Sequence, residues 1–285
     1  MSPDVPFRPL PLDLTDVHYL PGPDSTVHEG VPRGTVTELH LDPSGVFPGT
    51  TRTVRVHVPA QYDPAHPASL LVLQDGAGFL DPSGDLRVGV VLDNLVHGGD
   101  LPPTIAVLVD PGERDGVPDA DRPRRERQRN REYDAFDDRY ATFLLDEVLP
   151  EVRRRWAVTD DRDRWAIGGF SSGGSCALTA AWHRPDDFRR VLCLLPSFPQ
   201  VAGGDPYPGL IASTPTKPLR VFLQAGHRDL GWDEPEDNWL AEHLRVAAAL
   251  LEAQYDVRLV LGDGGHDPQH GGVLLPDALR WLFRS

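Results

Sequence analysis

Gly169, Ser171 and Gly173 form a G-x-S-x-G sequence. A serine with glycine two residues before and two after suits a nucleophile on a tight strand-to-helix turn. The backbone folds so sharply there that side chains at the two glycine positions would collide. The hydroxyl then stands above the sheet, and N–H groups at the helix start face the oxygen of a tetrahedral intermediate. The lead-in Trp165-Ala-Ile is apolar and the lead-out Ser-Ser-Gly-Gly-Ser-Cys-Ala is small. A glycine-rich turn with an ordinary N-cap serine has the same local pattern, so a base and an acid must be found elsewhere in the chain.

The base expected is His266, in Gly264-Gly-His266-Asp-Pro, between the last apolar run and the last helical stretch. A histidine in a glycine-rich loop at that place can fold back over the sheet edge to the serine. His270 is the competitor. The acid must hold the imidazole and stabilise its protonated form, and Asp229 follows the penultimate apolar run. The order Ser171, Asp229, His266 is that of α/β-hydrolases. The neighbouring Asp233, Glu234, Glu236 and Asp237 read as solvated loop charges or charges at a helix start.

An acyl-transfer site needs two oriented N–H donors for the oxyanion. Ser172, next to the nucleophile, supplies one. The loop Gln74-Asp75-Gly76-Ala77-Gly78-Phe79 supplies the other, with the Ala77 amide the first choice and Gly76 the second. Residues 122–131 hold six arginines, suited to an anionic or polyhydroxylated ligand or, equally, to a solvated loop paired with nearby carboxylates. Phe79, Phe198, Tyr207 and Trp232 fall in loops after strands and are candidates for an aromatic pocket wall.

Elements to position these groups are legible. Thr35–Leu41 and 51–58 alternate apolar and polar residues with Pro43, Gly45, Pro48 and Gly49 between them, an antiparallel pair at a sheet edge. From residue 69 on, short apolar runs at 70–73, 105–109, 165–167, 191–195, 220–223 and 257–261 predict parallel strands buried on both faces. Helices are predicted over 137–156, with Pro150 as a kink or break, and over 172–183, 238–254 and 273–283. The result is an α/β three-layer sandwich with a mostly parallel central sheet and antiparallel N-terminal strands. Residues 1–34, rich in Pro, Gly and Asp, are expected as an extended arm, and 35–285 as a single catalytic domain.

The chain of 285 residues carries a formal net charge of −15, which argues against a nucleic-acid partner. It has no signal-like N-terminus and no run of 18 apolar residues, so no membrane partner is expected. Two cysteines, Cys176 and Cys193, placed on a helix and a strand of the core, fit a reducing, cytoplasmic setting. A small-molecule ester is the partner expected, and a homo-oligomer stays open because the arm can lie on a neighbour. Three rival readings stand beside ester hydrolysis: acyl transfer on the same residues, a non-catalytic binding protein, and a metal site drawn from His227, Asp229, His266, Asp267 and His270, whose spacing matches no standard motif.

The chain resembles the esterases of the esterase D and enterochelin-esterase group, within the α/β-hydrolases. The matching pieces are Gly30-Val-Pro-Arg-Gly34, Val58-Pro-Ala-Gln-Tyr62, Gln74-Asp-Gly76, Arg129-Asn-Arg-Glu-Tyr-Asp134, Gly169-Phe-Ser-Ser-Gly-Gly174 and Gly264-Gly-His-Asp267. The resemblance implies serine ester hydrolysis at a site without metal or other cofactor. It also implies that Arg129 and Glu132, which fit the group's R-x-x-E-Y-D piece, lie near the pocket. The substrates implied range over siderophore-type lactones and acetyl or feruloyl sugar esters. Siderophore esterases of this group often carry an extra N-terminal β-domain, so this chain looks like the catalytic domain alone.

Overall fold

A computed structural model describes residues 17–41 and 43–284. In chain order the elements are β1 (Thr35–Leu41), β2 (Thr50–Val58), β3 (Ser69–Gln74), α1 (Gly76–Leu80), α2 (Val88–Gly98), β4 (Thr104–Val109) and the two-residue β5 (Glu113–Arg114). Then come α3 (Gln128–Tyr133), α4 (Arg139–Phe143), α5 (Leu149–Arg153), β6 (Trp165–Phe170), α6 (Ser172–His183), β7 (Arg190–Leu194) and α7 (Tyr207–Ser213). The chain closes with β8 (Arg220–Gly226), α8 (Trp239–Glu252), β9 (Asp256–Gly262) and α9 (Pro268–Phe283).

Among the described residues the strands form one sheet in the order β1-β2-β4-β3-β6-β7-β8-β9, with β5 on β2. β1 and β2 are antiparallel to their neighbours, and β4 through β9 along that order are parallel. Every residue of β3 and β4 is buried, because helices cover both faces. One face buries α3 to α8 through Tyr133, Phe143, Val152, Cys176, Ala177 and Val246. The other buries α1, α2 and α9 through Phe79, Val91, Leu92, Leu95 and Leu279. Each fully buried Leu, Val or Phe contributes about 1.5–3 kcal/mol by leaving water.

One expectation is corrected, and two features are added. β9 is one of the two sheet edges, and its residues are exposed or half-buried because no strand among the described residues lies beyond it. The helix over 137–156 does not break at Pro150. A π turn at Leu144–Val148 precedes α5 and accommodates the proline, whose missing N–H leaves a carbonyl of the preceding turn unbonded. Helix α2 was not anticipated, although Val88, Val91, Leu92, Leu95 and Val96 put one buried stripe on it.

The first sixteen residues of the predicted arm lie outside the described residues. The remainder lies on its own chain. The Tyr19 hydroxyl donates to the Asp263 carbonyl at 3.1 Å. Asn94 of α2 donates to the Asp24 and Thr26 carbonyls, both at 2.8 Å, and Asp24 pairs with Arg280 of α9 at 2.8 Å.

The topology fixes where a site can form. After β3 the chain crosses one face through α1 and α2 to β4, and after β6 it enters α6 on the opposite face. The loops leaving β3 and β6 therefore part, and open a crevice at the carboxyl ends of two adjacent strands.

Candidate active site

Ser171 sits between β6 and α6 with φ 57° and ψ −126°, a backbone state costing about 1–3 kcal/mol for a residue with a Cβ. The turn is held in it. Ser171 N–H donates to the Leu194 carbonyl at 2.9 Å, and the Ser171 carbonyl accepts from Gly174, Ser175 and Ser197 at 2.9, 3.2 and 3.2 Å. A Cβ on Gly169 would lie 2.4 Å from the Gly173 carbonyl carbon, which is the close approach the two glycines predict. Asp75 after β3 and Leu195 after β7 also have positive φ, 56° and 43°. Strained backbone thus gathers at the carboxyl ends of three neighbouring strands.

His266 folds back from the loop after β9. Its Nδ1 lies 2.7 Å from Asp229 Oδ1 and its Nε2 lies 2.9 Å from Ser171 Oγ. A carboxylate only accepts, so Nδ1 carries the proton, and Nε2 is left to accept from the serine hydroxyl. Asp229 is wholly buried, and Oδ1 also accepts from the Leu230 N–H at 2.8 Å. The imidazole is packed between Phe170 and Trp239, ring centroids 5.1 and 5.2 Å away. The competitor His270 is placed elsewhere: Gln224 Nε2 approaches its Nδ1 at 3.1 Å and Tyr19 stacks on it at 4.4 Å. Burial pushes the His270 imidazole down to about 4. The five side chains of the metal reading do not converge, since His266 is engaged at both nitrogens, Asp267 caps α9 through the Gln269 N–H, and His227 is exposed.

The oxyanion expectation needs one correction. Ala77 N–H donates to Asp110 Oδ1 at 3.0 Å, so that amide is occupied. Asp75 in the left-handed region turns the chain so that α1 begins at Gly76. The Gly76 and Ser172 amides open α1 and α6 and have no intrahelical acceptor; neither has another protein partner among the described residues. Gly76 packs on Leu108, where a Cβ would come within 2.6 Å of backbone.

The predicted binding residues divide. Arg129 lies beside the crevice, held by Asp75 in a two-pronged pair with both contacts at 2.7 Å. Glu132 does not face the crevice. It is sealed against Arg52 at 2.7 and 3.0 Å, and burial lifts its carboxyl above the usual range despite that partner. Its position in α3 turns it toward β2, away from β3 and β6. Phe198 and Tyr207 are fully buried and meet edge-on at 5.2 Å, so they form core and not pocket wall. Trp232 is 43% exposed and stacks under Arg228 at 3.7 Å. Phe79 does border the site. With Asp75, Leu86, Phe170 and Pro268, among others, it lines a cavity of about 290 Å³ that reaches Phe170, the residue before Ser171. In the arginine segment, Arg122 and Arg127 bind loop carbonyls of Arg114, Ala120 and Arg122. Their charge ties the loop together.

Two nearby polar residues had no sequence signal. Ser197 Oγ lies 3.0 Å from Ser171 Oγ. Since the Ser171 proton points to His266, the Ser197 hydroxyl donates. His243 of α8 is fully buried beside Asp229. Both are common residues in unremarkable stretches, and only chain folding brings them to the site.

Residues 45–281 match the model of the family described as "Putative esterase". The chain belongs to this esterase family. It is 31% identical over 163 residues to an iron(III) enterobactin esterase of Dickeya dadantii, covering 50% of this chain and 35% of that protein. It is 28% identical to an iron(III) salmochelin esterase of Escherichia coli, covering 78% and 52%. It therefore spans about a third to a half of the length of these curated relatives. Among solved structures, a ferric enterobactin esterase from Salmonella typhimurium superposes with TM-score 0.73 at 22% identity, covering 94% of this chain and 62% of that one. A ferulic acid esterase from Anaeromyces mucronatus superposes with TM-score 0.68 at 17% identity, covering 96% and 98%. These likenesses show the α/β-hydrolase fold. No helix among the described residues is long and apolar enough to cross a membrane.

Proposed function

We propose that this protein is a serine carboxylic-ester hydrolase working through an acyl-enzyme. The observation that carries the reading is the unbroken chain Ser171 Oγ, His266 Nε2, His266 Nδ1, Asp229 Oδ1, with links of 2.9 and 2.7 Å. Ser171 attacks the ester carbonyl while His266 takes its proton, and the buried Asp229 carboxylate stabilises the imidazolium. The Gly76 and Ser172 amides receive the oxyanion. His266 returns its proton to the leaving alcohol, and water, activated by the same imidazole, releases the acid.

For the substrate, the cavity that Phe79 and Phe170 help to line, next in chain to Ser171, supports a small-molecule ester with one compact apolar or aromatic part. The relatives' names point to siderophore lactones and to feruloyl esters. Of the six arginines in 122–131, Arg122, Arg127 and Arg129 are engaged by the protein, so these three are held away from an anionic substrate group. Cys176 and Cys193 are buried free thiols, in keeping with a cytoplasmic location.

The test is Ser171→Ala. Hydrolysis of p-nitrophenyl acetate and feruloyl esters should fall by about three orders of magnitude or more, with the thermal transition unchanged. Wild type should take up one fluorophosphonate at Ser171. Retained turnover in the variant would end the proposal.

A further inference from the structure

Asp229 and His243 meet with a mismatch. Asp229 Oδ2 and His243 Nδ1 are both buried, both lack a hydrogen-bond partner, and lie 3.7 Å apart. The other nitrogen explains why. His243 Nε2 lies 2.6 Å from the Pro196 carbonyl, and a carbonyl only accepts, so Nε2 carries the proton. In the neutral ring Nδ1 is then bare and faces a bare carboxylate oxygen. Burial keeps the imidazole below the usual histidine range, against the Asp229 carboxylate and the Pro196 carbonyl, which favour the proton, while the His266 ring disfavours it. Phe198 fixes the ring from the side, edge-on at 5.6 Å.

Two effects follow. With no protein donor on Oδ2, the protein's hydrogen bonds to the carboxylate gather on Oδ1, where His266 and the Leu230 N–H sit. The Nε2–H bond also holds the Pro196 carbonyl, one residue before Ser197, whose hydroxyl touches Ser171 Oγ and whose N–H donates to the Ser171 carbonyl. The contacts close a ring: Ser171, His266, Asp229, His243, Pro196–Ser197 and back to Ser171.

The geometry points to His243 as a positioning residue for the reaction proposed above: its ring covers the second oxygen of Asp229, and its Nε2–H locks the turn that orients Ser171. This rests on the serine-hydrolase reading of the same site.

The test uses the full chain with p-nitrophenyl acetate, alongside Ser171→Ala. If wild type shows no Ser171-dependent turnover, the hydrolase reading fails, and the role of His243 with it. If it does, two variants address His243 alone. His243→Phe fills the space without an N–H donor, and should lower kcat about tenfold or more while KM stays within about twofold. His243→Gln can still donate toward Pro196 and should recover most of that loss. Wild-type kcat in a folded His243→Phe would overturn the inference, as would a glutamine variant no better than phenylalanine. Should His243→Phe not fold, ¹⁵N-imidazole NMR of wild type decides: a bare Nδ1 and protonated Nε2 at neutral pH are expected, and a proton on Nδ1 would refute the arrangement.

Discussion

Gly169→Ala tests the nucleophile turn most directly. The added methyl would meet the Gly173 carbonyl carbon at 2.4 Å, its oxygen at 2.6 Å and Gln74 Oε1 at 2.8 Å. A carbon normally keeps about 3.5 Å from another carbon, so roughly 1 Å of movement is needed. The first two obstacles are backbone. They belong to a turn pinned by the three N–H donors on the Ser171 carbonyl, so the strain cannot be absorbed by a rotating side chain. Overpacking of this kind costs about 1–3 kcal/mol, and here the upper end is expected. The other route is displacement of Ser171, and about 1 Å there costs on the order of a hundredfold in rate. Urea denaturation, kcat/KM on p-nitrophenyl acetate and the fluorophosphonate labelling rate would be measured together. Gly209→Ala is the control, because a Cβ at that helical glycine meets nothing within 4 Å. If Gly169→Ala behaves like Gly209→Ala in all three assays, the argument from close approach is wrong.

Two further outcomes follow from buried charges. Glu132→Gln leaves the Arg52 guanidinium, about 1% exposed, without its counter-charge and should cost about 3–5 kcal/mol of stability; KM of the folded fraction should not change, whereas a raised KM would return Glu132 to the substrate pocket. His270 has its folded-state pKa depressed to about 4 from 6.5, so below 6.5 the unfolded chain binds the extra proton. The stability it contributes is complete above about pH 6.5 and lost as pH falls through about 4, at most about 3 kcal/mol. Urea midpoints across that range should show less of this slope in His270→Gln, and an identical slope would count against it.

Much of the site was legible before folding because its geometry is local or tied to chain order. The glycines around Ser171 record a steric requirement of a single turn, and the apolar runs record strands covered on both faces. The order Ser171, Asp229, His266 records which strand ends carry them. Failures came where a residue's type did not reveal its direction. Ala77 stands in the expected loop, but its N–H turns to Asp110, a residue on a different strand end that no local spacing names. Glu132, Phe198 and Tyr207 have suitable chemistry and face inward.

The amino-acid sequence alone determined the layering, the parallel character of the later strands and the three residues of the hydrogen-bonded chain, because periodicity and turn sterics act over a few neighbours. Only the tertiary structure decided which amides stay free for an oxyanion and which arginines remain available. It alone also brought Ser197 and His243 to Ser171 and Asp229. Those outcomes depend on contacts between residues far apart in the chain, such as the 3.0 Å approach of Ser171 and Ser197, and no local spacing encodes them.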